Sequence, residues 1–150
     1  MTGRVEAIHI TEARKQPLRA VTEARAIPNT GLAGDRYSKR DGSFKPKPGR
    51  DLTLIEAEAL EALSRDYKVE LLAVECRRNV LTRGIALNHL VGREFQIGNV
   101  RVRGAGLCEP CTYLEGLTGK TVREGLIHRG GLRAEILTEG TIRVGDAITA

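Results

Sequence analysis

The chain has 150 residues, enough to bury a hydrophobic core without disulfide support, so we predict one domain over residues 1–150. Its three cysteines are too few for a secreted disulfide scaffold, and we therefore predict that the protein is located in the cytoplasm. Its 24 Lys and Arg residues outnumber its 19 Asp and Glu residues, and the formal charge of +5 favours an anionic partner. An aromatic content of 3% argues against a base-stacking nucleic-acid surface, and the lack of a signal peptide or long apolar run argues against a membrane partner.

The N-terminal half contains predicted strands, a basic loop and the clearest helix. Apolar and polar residues alternate over residues 4–10 and, less strictly, over 18–27, which is typical of half-buried strands. Residues 37–50 are rich in Lys, Arg, Gly, Ser and Pro, and we predict an exposed, mobile, basic loop that could close over a ligand. Residues 51–54 predict a short strand, and apolar residues at helical spacing from Ile55 onward predict a helix after it.

Further along the chain, short strands and turns dominate. Strands are predicted at residues 77–82, 94–97, 100–103, 132–137 and 141–148. Short helices are predicted at residues 87–90, 112–117 and 120–127, whereas 69–76 fit either a strand or a helix. Gly98 and Asn99 indicate a type II′ hairpin, and Glu139 with Gly140 indicates a closing hairpin between the last two strands. This pattern predicts a mainly β fold, a barrel or a sandwich with helical insertions.

Cys108 and Cys111 form a Cys-x-x-Cys motif with four interpretations. A redox dithiol has this spacing, but it belongs after a strand in a βαβ unit rather than among antiparallel strands. In a structural role, one cysteine fills a small apolar space, as we expect for Cys76. A zinc site needs a second pair of ligands. The remaining candidates are not in a paired spacing: Cys76, His9, His89 and His128.

The fourth interpretation makes Cys111 a nucleophile or a metal-ligating thiolate. Pro110 restricts the backbone before it, and a helix is predicted to start at Thr112 or Tyr113. The unpaired N–H groups of a helix N-terminus lower the pKa of a nearby thiol, and the thiolate is the reactive form. Residue spacing alone leaves all four interpretations open.

A turn at Gly34, Asp35 and Arg36 is a candidate for guiding an anion, because it opens into the basic loop. There Arg36, Lys39 and Arg40 would attract negative charge.

A second candidate is the run Arg77-Arg78-Asn79, since a guanidinium binds phosphate through paired hydrogen bonds. In a strand, neighbouring side chains point to opposite faces, so we predict that one arginine faces a site and the other faces solvent. The Gly-x-Ser-x-Gly fingerprint of hydrolases and both glycine-rich nucleotide-binding fingerprints are absent from the sequence.

Six segments, taken in chain order, resemble a MOSC domain, the family named for the C-terminal domain of molybdenum-cofactor sulfurase. They are residues 31–36, 51–56, 78–80, 90–98, 108–111 and 140–146. The resemblance runs from about residue 5 to residue 148 and implies a closed or partly closed β-barrel with a few short α-helices.

The resemblance also implies a pterin-based molybdenum cofactor. In this family, the cysteine that matches Cys111 binds molybdenum or carries sulfur, and the segment that matches Arg78 and Asn79 lies near the cofactor. The cofactor's phosphate suits a basic site, and its molybdenum accepts a soft thiolate. The residues that we expect to bind the cofactor are Asp35, Arg36, Thr53, Arg78, Asn79 and Cys111, with Cys111 also as the catalytic residue and metal ligand.

Family members include the cofactor-sulfurase domain, the mitochondrial amidoxime-reducing component and small bacterial proteins that act on N-hydroxylated bases. We expect this protein to function without the family's larger attachments, which are a pyridoxal-phosphate transferase domain, an extra N-terminal β-barrel domain and a ferredoxin-like tail for electrons. We therefore expect either a reductase component that uses an external electron-donor protein or a carrier that passes cofactor or sulfur to a molybdoenzyme.

Two further hypotheses stay open at this point. Cys111 could carry a persulfide without molybdenum, with a cysteine desulfurase as its partner. Alternatively, the chain is a non-catalytic binding module with a structural Cys-x-x-Cys motif.

Overall fold

The computed structural model describes residues 1–38, 49–110 and 112–150. Cys111, Lys39, Arg40 and most of the predicted basic loop lie outside the described residues. The strands are β1 (Thr2–Ile10), β2 (Arg19–Val21), β3 (Glu23–Ile27), β4 (Gly31–Leu32), β5 (Leu52–Glu56), β6 (Val80–Arg83), β7 (Glu94–Ile97), β8 (Val100–Leu107), β9 (Leu132–Ile136), β10 (Gly140–Arg143) and β11 (Ala147–Thr149). The helices are α1 (Ala57–Tyr67), α2 (Thr112–Thr118) and α3 (Arg123–Leu126), with 3₁₀ turns at Ala73–Glu75 and Leu87–Leu90.

Seven of these strands close into a barrel in the order β11-β7-β8-β9-β5-β6-β1, and β1 pairs back with β11. β2 pairs with the end of β1, and the strands β10, β3 and β4 form a separate small sheet. The fold is therefore mainly β, with a closed barrel and three short helices among the described residues, and this fold-class prediction is confirmed.

The barrel contains one parallel pair among its described strands, β5 with β6, and α1 makes the crossover that such a pair needs. Because α1 covers the outer face of β5, the first four residues of this strand are all buried. β8 and β9 instead alternate buried and more exposed residues over most of their length, as expected where the outer face of the sheet is exposed to solvent.

A second, smaller core lies outside the barrel between α1, α2 and α3. Leu63 of α1 packs there with Leu114 and Leu126. Gly125 permits the close approach of α3 to α1, because a Cβ at this position would lie 2.3 Å from Cδ1 of Leu63. None of the described helices is long and apolar enough to cross a membrane.

Several local predictions are confirmed. The hairpin of β7 and β8 turns at Gly98 and Asn99. Gly98 has a φ of +58° and the φ of Asn99 is not positive, as in a type II′ turn. The strand before the first helix and the helical turn at Leu87–Leu90 also occur where expected. These features depend on neighbouring residues, which a sequence pattern reports directly.

Other predictions are wrong. The stretch 18–27 is two strands, β2 and β3, which belong to different sheets. The predicted closing hairpin does not form, because β9 pairs with β5 and β8, whereas β10 pairs with β3. Burial of the inner face of β9 in the barrel selects distant partners over the neighbour in sequence.

Candidate functional site

Asp35 and Arg36, in the predicted turn after β4, form a buried ion pair. Asp35 has no exposed surface, and its carboxylate accepts hydrogen bonds from the backbone N–H of Thr11 at 3.0 Å and of Tyr37 at 3.3 Å. The Arg36 guanidinium donates to Asp35 at 3.3 Å and stacks over the Tyr37 ring, with 4.3 Å to the ring centroid. The pair thus holds the residues after β4 against the loop after β1.

Arg36 also connects this turn to the second candidate segment, because its Nη2 donates to the backbone carbonyl of Arg77 at 3.1 Å. Sequence reasoning placed both segments at one site, and the structure brings them into direct contact.

Thr53 and Asn79 bind each other. The Thr53 hydroxyl accepts from the Asn79 backbone N–H at 3.0 Å, and Asn79 Oδ1 accepts from the Thr53 backbone N–H at 3.1 Å. Asn79 Nδ2 donates to the carbonyl of His9 at 3.1 Å. Both residues are buried, so these contacts join β5, β1 and the start of β6. Their binding of a cofactor stays a prediction.

Arg78 connects three chain segments. Its Nε donates to the carbonyl of Gly130 at 2.7 Å, Nη1 to that of Cys76 at 3.3 Å and Nη2 to that of Cys108 at 3.2 Å. Arg78 is only 9% exposed. The Cys-x-x-Cys segment is therefore attached directly to the segment that precedes β6.

Arg77 is also buried, at 8% exposure, so the prediction that one of the two arginines faces solvent is wrong. β6 begins only at Val80, and Arg77 has a φ of +66°, which breaks the alternation assumed for a strand. Its guanidinium donates to the carbonyl of Gln16.

Arg77 lines a cavity of about 280 Å³ together with Lys15, which has a φ of +64°. The other lining residues are Pro17, Leu18, Val74, Glu75 and Thr118. Sequence reasoning missed Lys15, because a single lysine in a loop carries no pattern, and it assigned phosphate binding to the neighbouring Arg78. The structure places Arg77 and Lys15, rather than Arg78, on the wall of this cavity.

The cavity wall has a positive balance of charge. Glu75 is its one carboxylate among the lining residues, and it lies 2.8 Å from the ammonium group of Lys120. The hydrogen bond from Lys120 lowers the pKa of Glu75, so this side chain is an ionised and compensated partner. Lys15 and Arg77 place two cationic groups on this wall, where they favour an anion such as a phosphate.

The described cysteines differ in environment. Cys76 is buried and its thiol donates to the carbonyl of Ala73 at 2.9 Å. Burial raises the pKa of Cys76, which keeps it a thiol and supports the structural role expected for it. Cys108 is half-buried, and its backbone N–H donates to the carbonyl of Gly131 at 2.7 Å.

Cys111 lies outside the described residues, and α2 begins at the next residue, Thr112, where a helix start was predicted. Within residues 1–38, 49–110 and 112–150, no three His, Cys, Asp or Glu side chains are grouped to hold a metal ion. The zinc interpretation of the motif therefore finds no further ligand set among these residues.

Glu109, inside the motif, binds His128 through both carboxylate oxygens. One oxygen accepts from the His128 backbone N–H and the other contacts its Nδ1, each at 2.7 Å. His128 has a φ of +59°, and its carbonyl accepts from the side chain of Asn88 at 2.7 Å. This loop is thus tied to the motif at the surface as well as through Arg78.

Comparison with solved structures shows the same fold in bacterial proteins. The YuaD protein from Bacillus subtilis matches with a TM-score of 0.82 at 15% identity, over 99% of this chain and 94% of that one. YiiM from Geobacillus stearothermophilus matches with a TM-score of 0.71 at 13% identity, over 98% of this chain and 74% of that one. YiiM from Escherichia coli matches with a TM-score of 0.68 at 16% identity, over 97% and 68%.

No curated protein sequence matches the chain. The sequence profile of the MOSC domain, in contrast, matches residues 41–149, which is more than half of the chain. Together with the closed barrel, this match shows that the chain belongs to the MOSC domain family.

Proposed function

We propose that this chain is a molybdenum-cofactor-binding MOSC protein with Cys111 as its metal-ligating thiolate. The observation that carries the proposal is the cavity lined by Lys15 and Arg77, because Arg77 adjoins Arg78, which binds the main chain of the Cys-x-x-Cys segment. A cationic cavity wall and a cysteine motif are thereby joined in one hydrogen-bonded unit. The family is associated with this cofactor, which supports the same assignment.

The residues present suit the two chemically distinct parts of such a cofactor. Its phosphate is an anion that two cations on a partly enclosed wall, Lys15 and Arg77, would hold. Its molybdenum is a soft centre for which a thiolate is a suitable ligand, and Cys111 is the candidate.

Arg36 and Arg78 take a supporting role in this proposal. Neither residue is among the described residues that line the cavity, and their guanidinium groups donate to protein oxygens that hold the surrounding segments in place. Asp35, Thr53 and Asn79 likewise hold the wall segments in place through buried hydrogen bonds.

When bound, the cofactor supplies oxygen- or sulfur-transfer chemistry, and the protein supplies binding, orientation and electrostatics. Lys15 and Arg77 would hold the anionic end, and the thiolate of Cys111 would bind the metal end. We propose one of two roles for the loaded protein: a reductase component for N-hydroxylated substrates, supplied by an electron-donor protein, or a carrier of cofactor or sulfur to a molybdoenzyme.

Elemental analysis of the protein purified from a host that makes molybdopterin tests the assignment. We expect molybdenum in the parent protein and at least a tenfold lower content, as a rough figure, in Cys111→Ser. Arg77→Met and Lys15→Met should each lower the content, because they remove one of the cations on the wall.

Cys108→Ser is the matched control, since the hydrogen bonds described for Cys108 use its main chain. Full retention of molybdenum by Cys111→Ser would reject the proposal. If the parent lacks molybdenum but gains one sulfur on Cys111 after exposure to a cysteine desulfurase, the persulfide hypothesis replaces it.

Two assays separate the proposed roles. Reduction of an N-hydroxylated base by the loaded protein and a chemically reduced dye supports the reductase component. Transfer of molybdenum to a cofactor-free molybdoenzyme, without such reduction, supports the carrier.

A further inference from the structure

We propose that Arg78 is a positioning residue that holds the main chain at Cys108, three residues before Cys111, rather than a ligand of the cofactor. This inference rests on the proposed role of Cys111, but its structural part can be measured without any cofactor.

The contacts of the guanidinium carry the argument. Its three nitrogens donate to the carbonyls of Cys76, Cys108 and Gly130, which belong to three separate segments of the chain. These hydrogen bonds are 3.3, 3.2 and 2.7 Å long, and Arg78 is 9% exposed. A charge buried to this extent is held by the carbonyl dipoles around it, so moving any of the three carbonyls away is costly.

The glycine loop is shaped to receive this side chain. Gly131 has a φ of +114°, and a Cβ there would lie 2.1 Å from the Leu54 carbonyl oxygen and 3.5 Å from Nε of Arg78. At Gly130 a Cβ would lie 2.2 Å from the carbonyl oxygen of Cys108. Gly130 and Gly131 therefore lie in close contact with β5 and with Cys108, and only glycine fits at these two positions beside Arg78.

The cysteine segment is attached to the same loop by its own backbone. The N–H of Cys108 donates to the Gly131 carbonyl at 2.7 Å, while its carbonyl accepts from Arg78. Both main-chain polar groups of Cys108 are thus engaged. Pro110, whose ring restricts its own backbone, ends the described part of this segment, and Cys111 follows it in the sequence.

Lysine would not replace arginine in this role. Three carbonyls at separate positions require donors that diverge from one rigid plane, which a guanidinium has and a single ammonium group on a flexible stem lacks. Arginine and lysine carry the same charge, but we expect only arginine to make all three hydrogen bonds at position 78.

The test compares Arg78→Met and Arg78→Lys in a Cys108→Ala background, which keeps the Cys108 main chain and leaves Cys111 as the reactive thiol to be followed. Hydrogen exchange at the residue-108 amide should become at least about tenfold faster in Arg78→Met and less so in Arg78→Lys. Alkylation of Cys111 by iodoacetamide should become at least about threefold faster, because the segment is released. Molybdenum content should fall in the same order of variants.

Ile148→Val is the control for stability alone, since it removes one methyl group from the barrel core on β11 and leaves the three hydrogen bonds of Arg78 unchanged. It should leave the exchange at residue 108 and the alkylation of Cys111 at parental values. The proposal is overturned if the Arg78 variants also keep parental exchange and alkylation rates. Loss of molybdenum with parental exchange would instead identify Arg78 as a direct cofactor ligand. If the Arg78 variants exchange faster at residue 108 but no form of the protein binds molybdenum, the positioning role of Arg78 is supported and only the proposed function is rejected.

Discussion

Asn79 is a buried residue whose polar groups connect three parts of the barrel. It has no exposed surface, and it exchanges hydrogen bonds with both the backbone and the hydroxyl of Thr53. Its backbone carbonyl accepts from the His9 N–H at 2.6 Å, and its side chain donates to the His9 carbonyl. An amide is needed here because a donor and an acceptor must face different strands.

We predict that Asn79→Ala lowers the free energy of unfolding by about 2–4 kcal/mol, because it leaves the Thr53 N–H and the His9 carbonyl without their partner in the interior. Urea denaturation measures this change. Asn88→Ala is the control, since Asn88 donates a single exposed hydrogen bond to His128, and we expect it to cost less than about 1 kcal/mol. Equal losses in the two variants would contradict the prediction.

We expect His9 to make the stability of the fold depend on pH. Burial lowers the pKa of His9 below its usual value, so the folded protein resists protonation that the unfolded chain accepts near pH 6.5, roughly. Stability is therefore complete above that pH and decreases as the pH falls below it. We predict that the loss of unfolding free energy between pH 7.5 and 5.5 is smaller in His9→Gln than in the parent. Urea titrations at the two pH values measure it, and an unchanged loss would show that His9 is not responsible.

At the scale of elements, loops determine where the site side chains lie. Arg77 and Lys15 both have positive φ values, and each lines the cavity from a loop rather than from a strand. The loop at Gly130 and Gly131 lies against β5 and the cysteine segment. The helices and strands supply the frame, and the irregular segments between them supply the charges.

We predict opposite effects for alanine at two glycines. Gly131→Ala should lower the free energy of unfolding by about 2 kcal/mol or more, because its φ is +114° and the added Cβ would meet the Leu54 carbonyl. Gly116→Ala should raise it by about 0.5–1 kcal/mol, because Gly116 lies in α2 and a Cβ there meets nothing within 4 Å. Thermal and urea unfolding of both variants test this, and destabilisation by Gly116→Ala would refute the second half.

At the scale of the whole molecule, the two ends of the chain close the barrel. β11 pairs with β1 through Thr2 and Thr149, and with β7 through Ile148 and Ile97. Ile148 is fully buried. Closure leaves neither β1 nor β7 with a bare edge at this point, which also removes a surface for aggregation.

We predict that a chain ending at Asp146 loses its cooperative unfolding transition, because removal of β11 opens the barrel and exposes its core. Calorimetry and circular dichroism would report the loss. Deletion of Ala150 alone is the control, since it removes only the two exposed hydrogen bonds between Ala150 and Met1 and should cost about 1 kcal/mol or less. A cooperative transition in the shorter chain would show that β11 is dispensable.

The amino-acid sequence by itself determined the local elements and the family. Alternation in β1, the turn at Gly98 and the apolar spacing of α1 are short-range patterns, and the ordered motifs pointed to the MOSC domain that the family match shows. Asp35, Arg36, Thr53, Arg78 and Asn79 were singled out from the same motifs, although their cofactor binding stays a prediction.

Only the tertiary structure decided which side chains share a wall and which strands pair. The alternation rule failed at Arg77 because its left-handed backbone turns the side chain into the cavity, and no neighbouring residue signals that turn. Arg78 takes its role from the carbonyls of Cys108 and Gly130, which are 30 and 52 residues away in the chain. Such contacts depend on which surfaces are buried together, and burial is a property of the whole fold rather than of any one segment.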